Sequence, residues 1–352
     1  MVKRRFIGIV FLIAIIIAVA TGCGGSGPPE VEDTPAIEKD ELTVHFLDVG
    51  QGDSILIELP NDEVSLIDGG NRWDSDFLVD YIKAQNIGKI DYLIATHPHA
   101  DHIGGLPEVI KNFDIGKVYM PRKAASTKIF ESFATEMQNK GLKATEGKGG
   151  KDIINEDDLL FTMIAPNSDN YSDTNDYSIV AKLTYKNVSI VFTGDAEKVS
   201  ETEIVGIGYN LSADVLKVGH HGSITSTSEE FLNRVNPKYA IISAGKDNDY
   251  GHPHKEIIER LEKKGISISR TDELGTIILT SNGIDINIDK DDNIIDDDFR
   301  ESGEIYIGNK NTKVFHAGDC NSLPNKENQI IFNSIQEAKK AGYRPHNTCV
   351  KE

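Results

Sequence analysis

Six consecutive residues, His97-Pro98-His99-Ala100-Asp101-His102, hold three imidazoles and one carboxylate. These are the donors that suit zinc and similar divalent ions. One compact loop of this kind can offer two ligands to one ion and two to a neighbour. Solvated loop histidines have no need of such density. Asp195 ends the apolar run Val188–Thr193 and Gly194, and His220-His221 follows the run Val215–Val218, so two more places for ligands exist. Two cations held side by side lower the pKa of a water and clamp phosphate oxygens. Near the C-terminus His316 and Cys320 are followed by His346 and Cys349, an H-x3-C and an H-x2-C pair separated by a helix-length insert. That is the spacing of a structural zinc site. A Cys320–Cys349 disulfide with idle histidines is the alternative.

These groups need a frame that brings distant loops together. From Leu42 to Asp289 short β-rich runs alternate with helical ones, an α/β pattern. Strands are expected over 42–47, 54–59, 64–67, 92–96, 117–120, 159–164, 178–185, 188–193, 215–218, 239–243 and 266–269. Helices are expected over 77–85, 106–112, 129–140 and 254–264. The histidine cluster thus lies on a strand-to-helix loop. The runs 178–185 and 188–193 read as a hairpin through Lys186-Asn187. Thr276–Ser281 and Ile284–Ile288 read as a hairpin through Asn282-Gly283, a strong two-residue turn signal.

The flanks differ in character. Lys3, Arg4 and Arg5 precede an apolar run from Phe6 to Ala20, then Ala20-Thr21-Gly22-Cys23. The run is short for a membrane span and reads as an export signal over 1–22. The small residues before Cys23 resemble a bacterial lipoprotein cleavage box, which implies a lipid on Cys23, anchorage in the membrane and a place on the extracellular face of the cell. Residues 23–41, with GGSG, three prolines and many acids, read as a flexible tether. Residues 290–303 form a second acidic stretch, read as a linker. Residues 304–352 make a separate small domain that needs a staple such as zinc. The 352 residues carry a formal net charge of −19, with 39% apolar and 26% charged residues. A core of ordinary size is possible, and loose adhesion to nucleic acid is disfavoured. A nucleic-acid substrate is not excluded, because bound cations reverse the local field.

The H-x-H-x-D-H string, with Asp68 before Gly69-Gly70, Thr193-Gly194-Asp195 and His220-His221-Gly222 in that order, resembles the metallo-β-lactamase superfamily over residues 42–289. The resemblance implies a four-layer αββα sandwich and a pair of divalent ions, zinc or manganese. His97 and His99 would serve one ion and Asp101 and His102 the other. Asp195 would lie between, with a final ligand from His220 or His221; His221 is favoured. Asp68 would support the histidine loop. There is one departure. Many relatives place a further histidine between the first cluster and the bridging aspartate. Here Thr174-Asn175-Asp176-Tyr177-Ser178 stands in its place.

Further strings narrow the resemblance to the extracellular hydrolase domain of ComEC-type DNA-uptake proteins: Phe46–Ser54, Asn175–Ser178, Leu216–Ser223 and Tyr250–His254. Asp101 and His252 are then the candidate catalytic residues, His252 contacting substrate or protonating a leaving group. Its alternative is a structural loop histidine. Lys217, Ser223 and Asn175 are candidates for holding substrate. Asp48 and Asp53 are read as fixing turn geometry. The C-terminal segment resembles the zinc-binding domain of Ada, with histidine at 346 where that family usually has cysteine. A metal-dependent phosphodiesterase or nuclease acting on DNA is the first expectation, with a DNA-uptake apparatus as partner. The alternatives are an esterase on envelope phosphocholine or teichoic polymers, and a non-catalytic DNA-binding surface protein. The missing histidine and the uptake-like strings point away from β-lactam hydrolysis.

Overall fold

The computed structural model describes residues 40–291 and 306–350, apart from 319, 321, 326, 327, 333, 334, 347 and 348. The leader, Cys23, nearly all of the tether and nearly all of the linker lie outside the described residues.

The body runs β1 (Leu42–Phe46), β2 (Ile55–Glu58), β3 (Val64–Ile67), α1 (Ser75–Ala84), β4 (Lys89–Ile94), α2 (Ala100–Ile103), α3 (Leu106–Asn112), β5 (Asp114–Met120), α4 (Lys128–Asn139) and β6 (Ala144–Glu146). It continues with β7 (Lys151–Asn155), β8 (Leu159–Ala165), β9 (Val180–Tyr185), β10 (Val188–Phe192), α5 (Lys198–Ile207), β11 (Val215–Lys217), α6 (Glu229–Val235) and β12 (Tyr239–Ile242). It ends with α7 (Lys255–Glu262), β13 (Ser267–Arg270), α8 (Thr271–Leu274), β14 (Ile277–Ser281) and β15 (Ile286–Lys290).

The strands form two sheets, β15-β14-β1-β2-β3-β4-β5-β6 and β13-β12-β11-β10-β9-β8-β7. Side chains alternate across a strand, so each strand serves two layers. In β10, Ile190 and Phe192 enter the core between the sheets, while Val191 faces the helices outside. In β1, Val44 and Phe46 point to the same inner core, and His45 points out to Tyr81 of α1. Phe46, Phe192 and Phe161 pack through the inner core in tilted and edge-to-face pairs, with centroids 6.3 and 6.2 Å apart. Helices α1, α3 and α4 cover one sheet, and α5, α6 and α7 cover the other. The result is the expected four-layer αββα sandwich.

The β9–β10 hairpin closes through Lys186-Asn187 as expected, with Lys186 taking the left-handed conformation that no glycine is present to supply. The second hairpin differs from expectation. Ser281 pairs with Ile286, so the loop is four residues and not two. Asn282 Oδ1 accepts from the backbone N–H of Ile284 and of Asp285, and this side-chain turn holds the longer loop. Among the described residues no helix is long and apolar enough to cross a membrane.

The C-terminal segment contains β16 (Tyr306–Asn309), β17 (Val314–Ala317), β18 (Gln329–Phe332), α9 (Ile335–Lys340) and β19 (Arg344–Pro345), with sheet order β18-β16-β17-β19. Its own small core contains Tyr306, Phe315, Phe332, Ala338, Tyr343 and Val350.

Candidate metal centre

Strands β3 and β4 run parallel in one sheet, and β10, β11 and β12 run parallel in the other. The candidate residues follow their C-terminal ends, where open α/β sheets place ligands. Asp68 follows β3. His97 and His99 follow β4, and Asp101 and His102 lie in α2. Asp195 follows β10. His220 and His221 follow β11 in a turn where both are left-handed, at φ 49° and 54°. The next residue, Gly222, also has positive φ, and a Cβ there would lie 2.5 Å from Pro253 Cβ.

Four imidazole nitrogens surround one carboxylate oxygen. From Asp195 Oδ2 the Nε2 atoms of His102, His221, His220 and His97 lie 3.1, 3.5, 3.7 and 3.8 Å away. Asp101 Oδ2 lies 3.4 Å from His221 Nε2 and 3.8 Å from His102 Nε2. His99 Nδ1 lies 3.0 Å from His97 Nε2.

Behind these atoms the far sides of the rings are fixed. His102 Nδ1 donates to Asp68 Oδ2 at 2.7 Å, and the Thr96 amide and hydroxyl donate to the same carboxylate at 2.8 and 2.6 Å. His221 Nδ1 donates to the Ser243 carbonyl at 3.1 Å. His97 Nδ1 lies 3.3 Å from Ser178 Oγ, which accepts from the Asp195 amide at 3.1 Å. With Nδ1 carrying the hydrogen in His102 and His221, each Nε2 presents a lone pair inward. Outer partners of this kind orient metal-binding histidines.

His102 Nε2, His221 Nε2 and Asp195 Oδ1 are buried and have no hydrogen-bond partner among the described residues. Burial opposes a charged imidazole at His102 and at His221, yet Asp195 and its fellow carboxylates hold both well above their ordinary values. Burial and the nearby His102 push His97 well below its own. The carboxylates therefore draw positive charge into a closed volume. Nitrogen and oxygen donors left without partners in such a volume fit divalent cations.

The other candidate residues divide. Lys217 is fully buried; its Nζ donates to Asp53 Oδ2 at 2.7 Å and to the Val218 carbonyl at 3.0 Å. It has no surface with which to meet a substrate, so the substrate-holding expectation for Lys217 is corrected to a buried ion pair. Opposed by burial, Lys217 and His221 still hold Asp53 down at about 2. Asp53 Oδ1 lies 3.4 Å from His221 Nδ1, which links that pair to the centre. Asp48 fixes its turn, accepting from the Gly50 amide at 3.0 Å. Ser223 is buried and shares a hydrogen bond with Thr225 Oγ1 at 2.9 Å. Asn175 Nδ2 reaches Glu197 Oε1 at 3.4 Å. The His252 ring lies 5.5 Å from that of His220 and 6.3 Å from that of His221.

Two residues went unread in the sequence. Glu197 Oε1 accepts from His220 Nδ1 at 3.1 Å and from Thr225 Oγ1 at 2.8 Å. Gln51 Oε1 accepts from the Gly245 amide at 3.1 Å, which turns Gln51 Nε2 toward His252 Nδ1 at 3.4 Å. Glu197 stands two positions after Asp195, and Gln51 lies inside the string Phe46–Ser54. Their places were visible and their contacts were not.

In the C-terminal module Cys320 and Cys349 are not joined to each other. His316 Nδ1 lies 3.4 Å from Cys320 Sγ and 3.9 Å from Cys349 Sγ; His346 Nδ1 lies 3.7 and 3.2 Å from the same two atoms. Bond lengths to zinc of about 2.0–2.3 Å in a tetrahedron put such edges at roughly 3.6 Å. The four residues fit a zinc ion.

A family model described as the metallo-beta-lactamase superfamily matches residues 47–246. The chain belongs to that superfamily. A second model, the metal binding domain of Ada, matches residues 290–352. This metallo-β-lactamase-fold chain is 35% identical over 254 residues to ComE operon protein 3 of Bacillus subtilis, covering 67% of the chain and 33% of that protein. It is 30% identical over 243 residues to competence protein ComA of Neisseria gonorrhoeae, covering 69% and 33%. Both are ComEC-type competence proteins. The chain thus spans about a third of the length of these curated relatives. Among solved structures, CmlA, a diiron beta-hydroxylase from Streptomyces venezuelae, is 12% identical with a TM-score of 0.45, covering 65% of this chain and 52% of that one.

Proposed function

We propose that this chain is a lipid-anchored, surface-exposed metal-dependent phosphodiesterase that cuts DNA. The convergence of four imidazole nitrogens on Asp195 Oδ2, with buried donor atoms left without partners, carries the reading. The similarity to competence proteins supports DNA as substrate, and the Ada-like module supports nucleic-acid contact. The leader and Cys23 support export and lipid anchorage.

His97, His99, Asp101, His102, Asp195, His220 and His221 would hold two divalent ions. When bound, these ions would polarise phosphate oxygens and lower the pKa of an attacking water. The protein supplies the rest. Asp68 and Ser243 hold the rings of His102 and His221 in the tautomer that faces inward. Asp101, part-exposed where Asp195 is buried, is the more solvent-accessible of the two carboxylates and would be the one to orient an attacking water. Gln51 donates to His252 Nδ1, so His252 carries its hydrogen on Nε2. Burial and the neighbouring imidazoles of His221, His220 and His254 lower His252 to about 4, which keeps it neutral near pH 7. It therefore contacts a phosphate or leaving-group oxygen as a neutral hydrogen-bond donor.

The test offers the full chain, loaded with Mn²⁺ or Zn²⁺, single-stranded DNA, duplex DNA and p-nitrophenyl-phosphocholine. Chelator-sensitive cutting of DNA that disappears in His99→Ala is expected. Turnover of the choline ester alone, or DNA retention without turnover, overturns the DNA-cutting reading.

A further inference from the structure

The sequence lacks a histidine between His102 and His220, and the segment where one is expected carries Asn175 and Asp176 instead. The structure shows what that segment does. The Glu197 amide donates to Asp176 Oδ1 at 3.2 Å, and Asn175 Nδ2 donates to Glu197 Oε1 at 3.4 Å. Glu197 in turn accepts from His220 Nδ1 at 3.1 Å. A carboxylate only accepts, so His220 carries its ring hydrogen on Nδ1. Its Nε2 then presents a lone pair 3.7 Å from Asp195 Oδ2, which also only accepts. A divalent cation placed between these two lone pairs satisfies both.

His221 belongs to a different group. Its ligand atom and those of Asp101, His102 and Asp195 all lie within 4.8 Å of one another, and His220 is not of that quartet. The two adjacent histidines are separated by their left-handed backbones, which put their rings 6.0 Å apart at an interplanar angle of 68°. The His220 amide donates to the Gly194 carbonyl at 3.1 Å, which ties this turn to the Asp195 loop.

We infer that His220 and His221 serve different ions: His221 with Asp101 and His102, and His220 with His97 and His99, Asp195 being shared. His220 takes the place of the missing histidine, and the Asn175-Asp176 segment braces it through Glu197, a positioning residue. This rests on the metal-dependent reading above.

The test counts metal by elemental analysis and reads the pair by electron paramagnetic resonance of the Mn²⁺-loaded full chain. The wild type is expected to hold two ions in its body besides the tail zinc, with a spin-coupled signal. His220→Ala keeps one body ion, bound within a few-fold of its original affinity, and gives an isolated Mn²⁺ signal. His220→Gln, which keeps the side-chain volume, does the same should the alanine variant fail to fold. Glu197→Gln weakens the second ion about 10–100-fold and leaves the first unchanged. Retention of both ions at wild-type affinity in His220→Ala or His220→Gln overturns the inference while leaving the enzyme reading intact. A wild-type body that binds no metal overturns that reading first.

Discussion

His102 Nδ1 and Asp68 Oδ2 lie 2.7 Å apart, and neither side chain is exposed to solvent. The bond fixes which nitrogen of His102 faces Asp195. Asp68→Asn replaces one acceptor oxygen with an amide that donates, so the ring loses its orienting partner. Body metal affinity is expected to fall about 10–100-fold with the tail zinc unaffected. Competition with a chromophoric chelator measures this. Unchanged affinity would show that His102 needs no support from Asp68.

Lys217 and Asp53 form a fully buried ion pair. Removing one partner strands the other charge, so Lys217→Met is expected to cost about 3–5 kcal/mol of stability. The double variant Asp53→Asn/Lys217→Met is expected to recover most of that loss. Urea unfolding of both variants decides the point. A stable Lys217→Met that only raises KM for DNA would restore the substrate-holding role.

The tail module has a core of few side chains and one cluster of two cysteines and two histidines. Cys349→Ser is expected to remove one zinc per chain and melt the module, because small domains of this size depend on such staples. Its amide resonances should collapse toward random-coil positions while those of the body stay. A tail that keeps its resonances without zinc would contradict the assignment.

Phe192 packs against both Phe46 and Phe161 between the two sheets. Phe192→Ala is expected to cost about 3–5 kcal/mol, from lost burial and the cavity left behind. A loss under about 1 kcal/mol in thermal or urea unfolding would mean that the sheets repack there.

Much of this was legible in the chain because local chemistry agrees with the global fold. The largely apolar runs over 92–96, 188–193 and 215–218 mark buried strands, and each is followed by candidate ligands. The edge strands β6 and β7 escaped notice because they are largely exposed and polar. Helix α6 carried a visible cap at Ser228, whose Oγ accepts from the Phe231 amide, but its short apolar stripe gave little periodicity. Lys217 was misread because a lysine is ordinarily solvated, and only the fold brings Asp53 to it from 164 residues away. Glu197 was passed over for the same reason. Its role is a contact with His220, and spacing does not reveal contacts.

Asp195 is the residue on which both halves of the centre meet, and its removal is the most direct trial. Elemental analysis of the full chain, purified without chelator, is expected to find two ions in the body and one in the tail. Asp195→Ala should lose both body ions, or bind them too weakly to survive dialysis, and keep the tail zinc. A wild-type chain with metal in its tail alone, or an Asp195→Ala chain that retains a full body complement, would contradict a metal pair gripped by these converging loops.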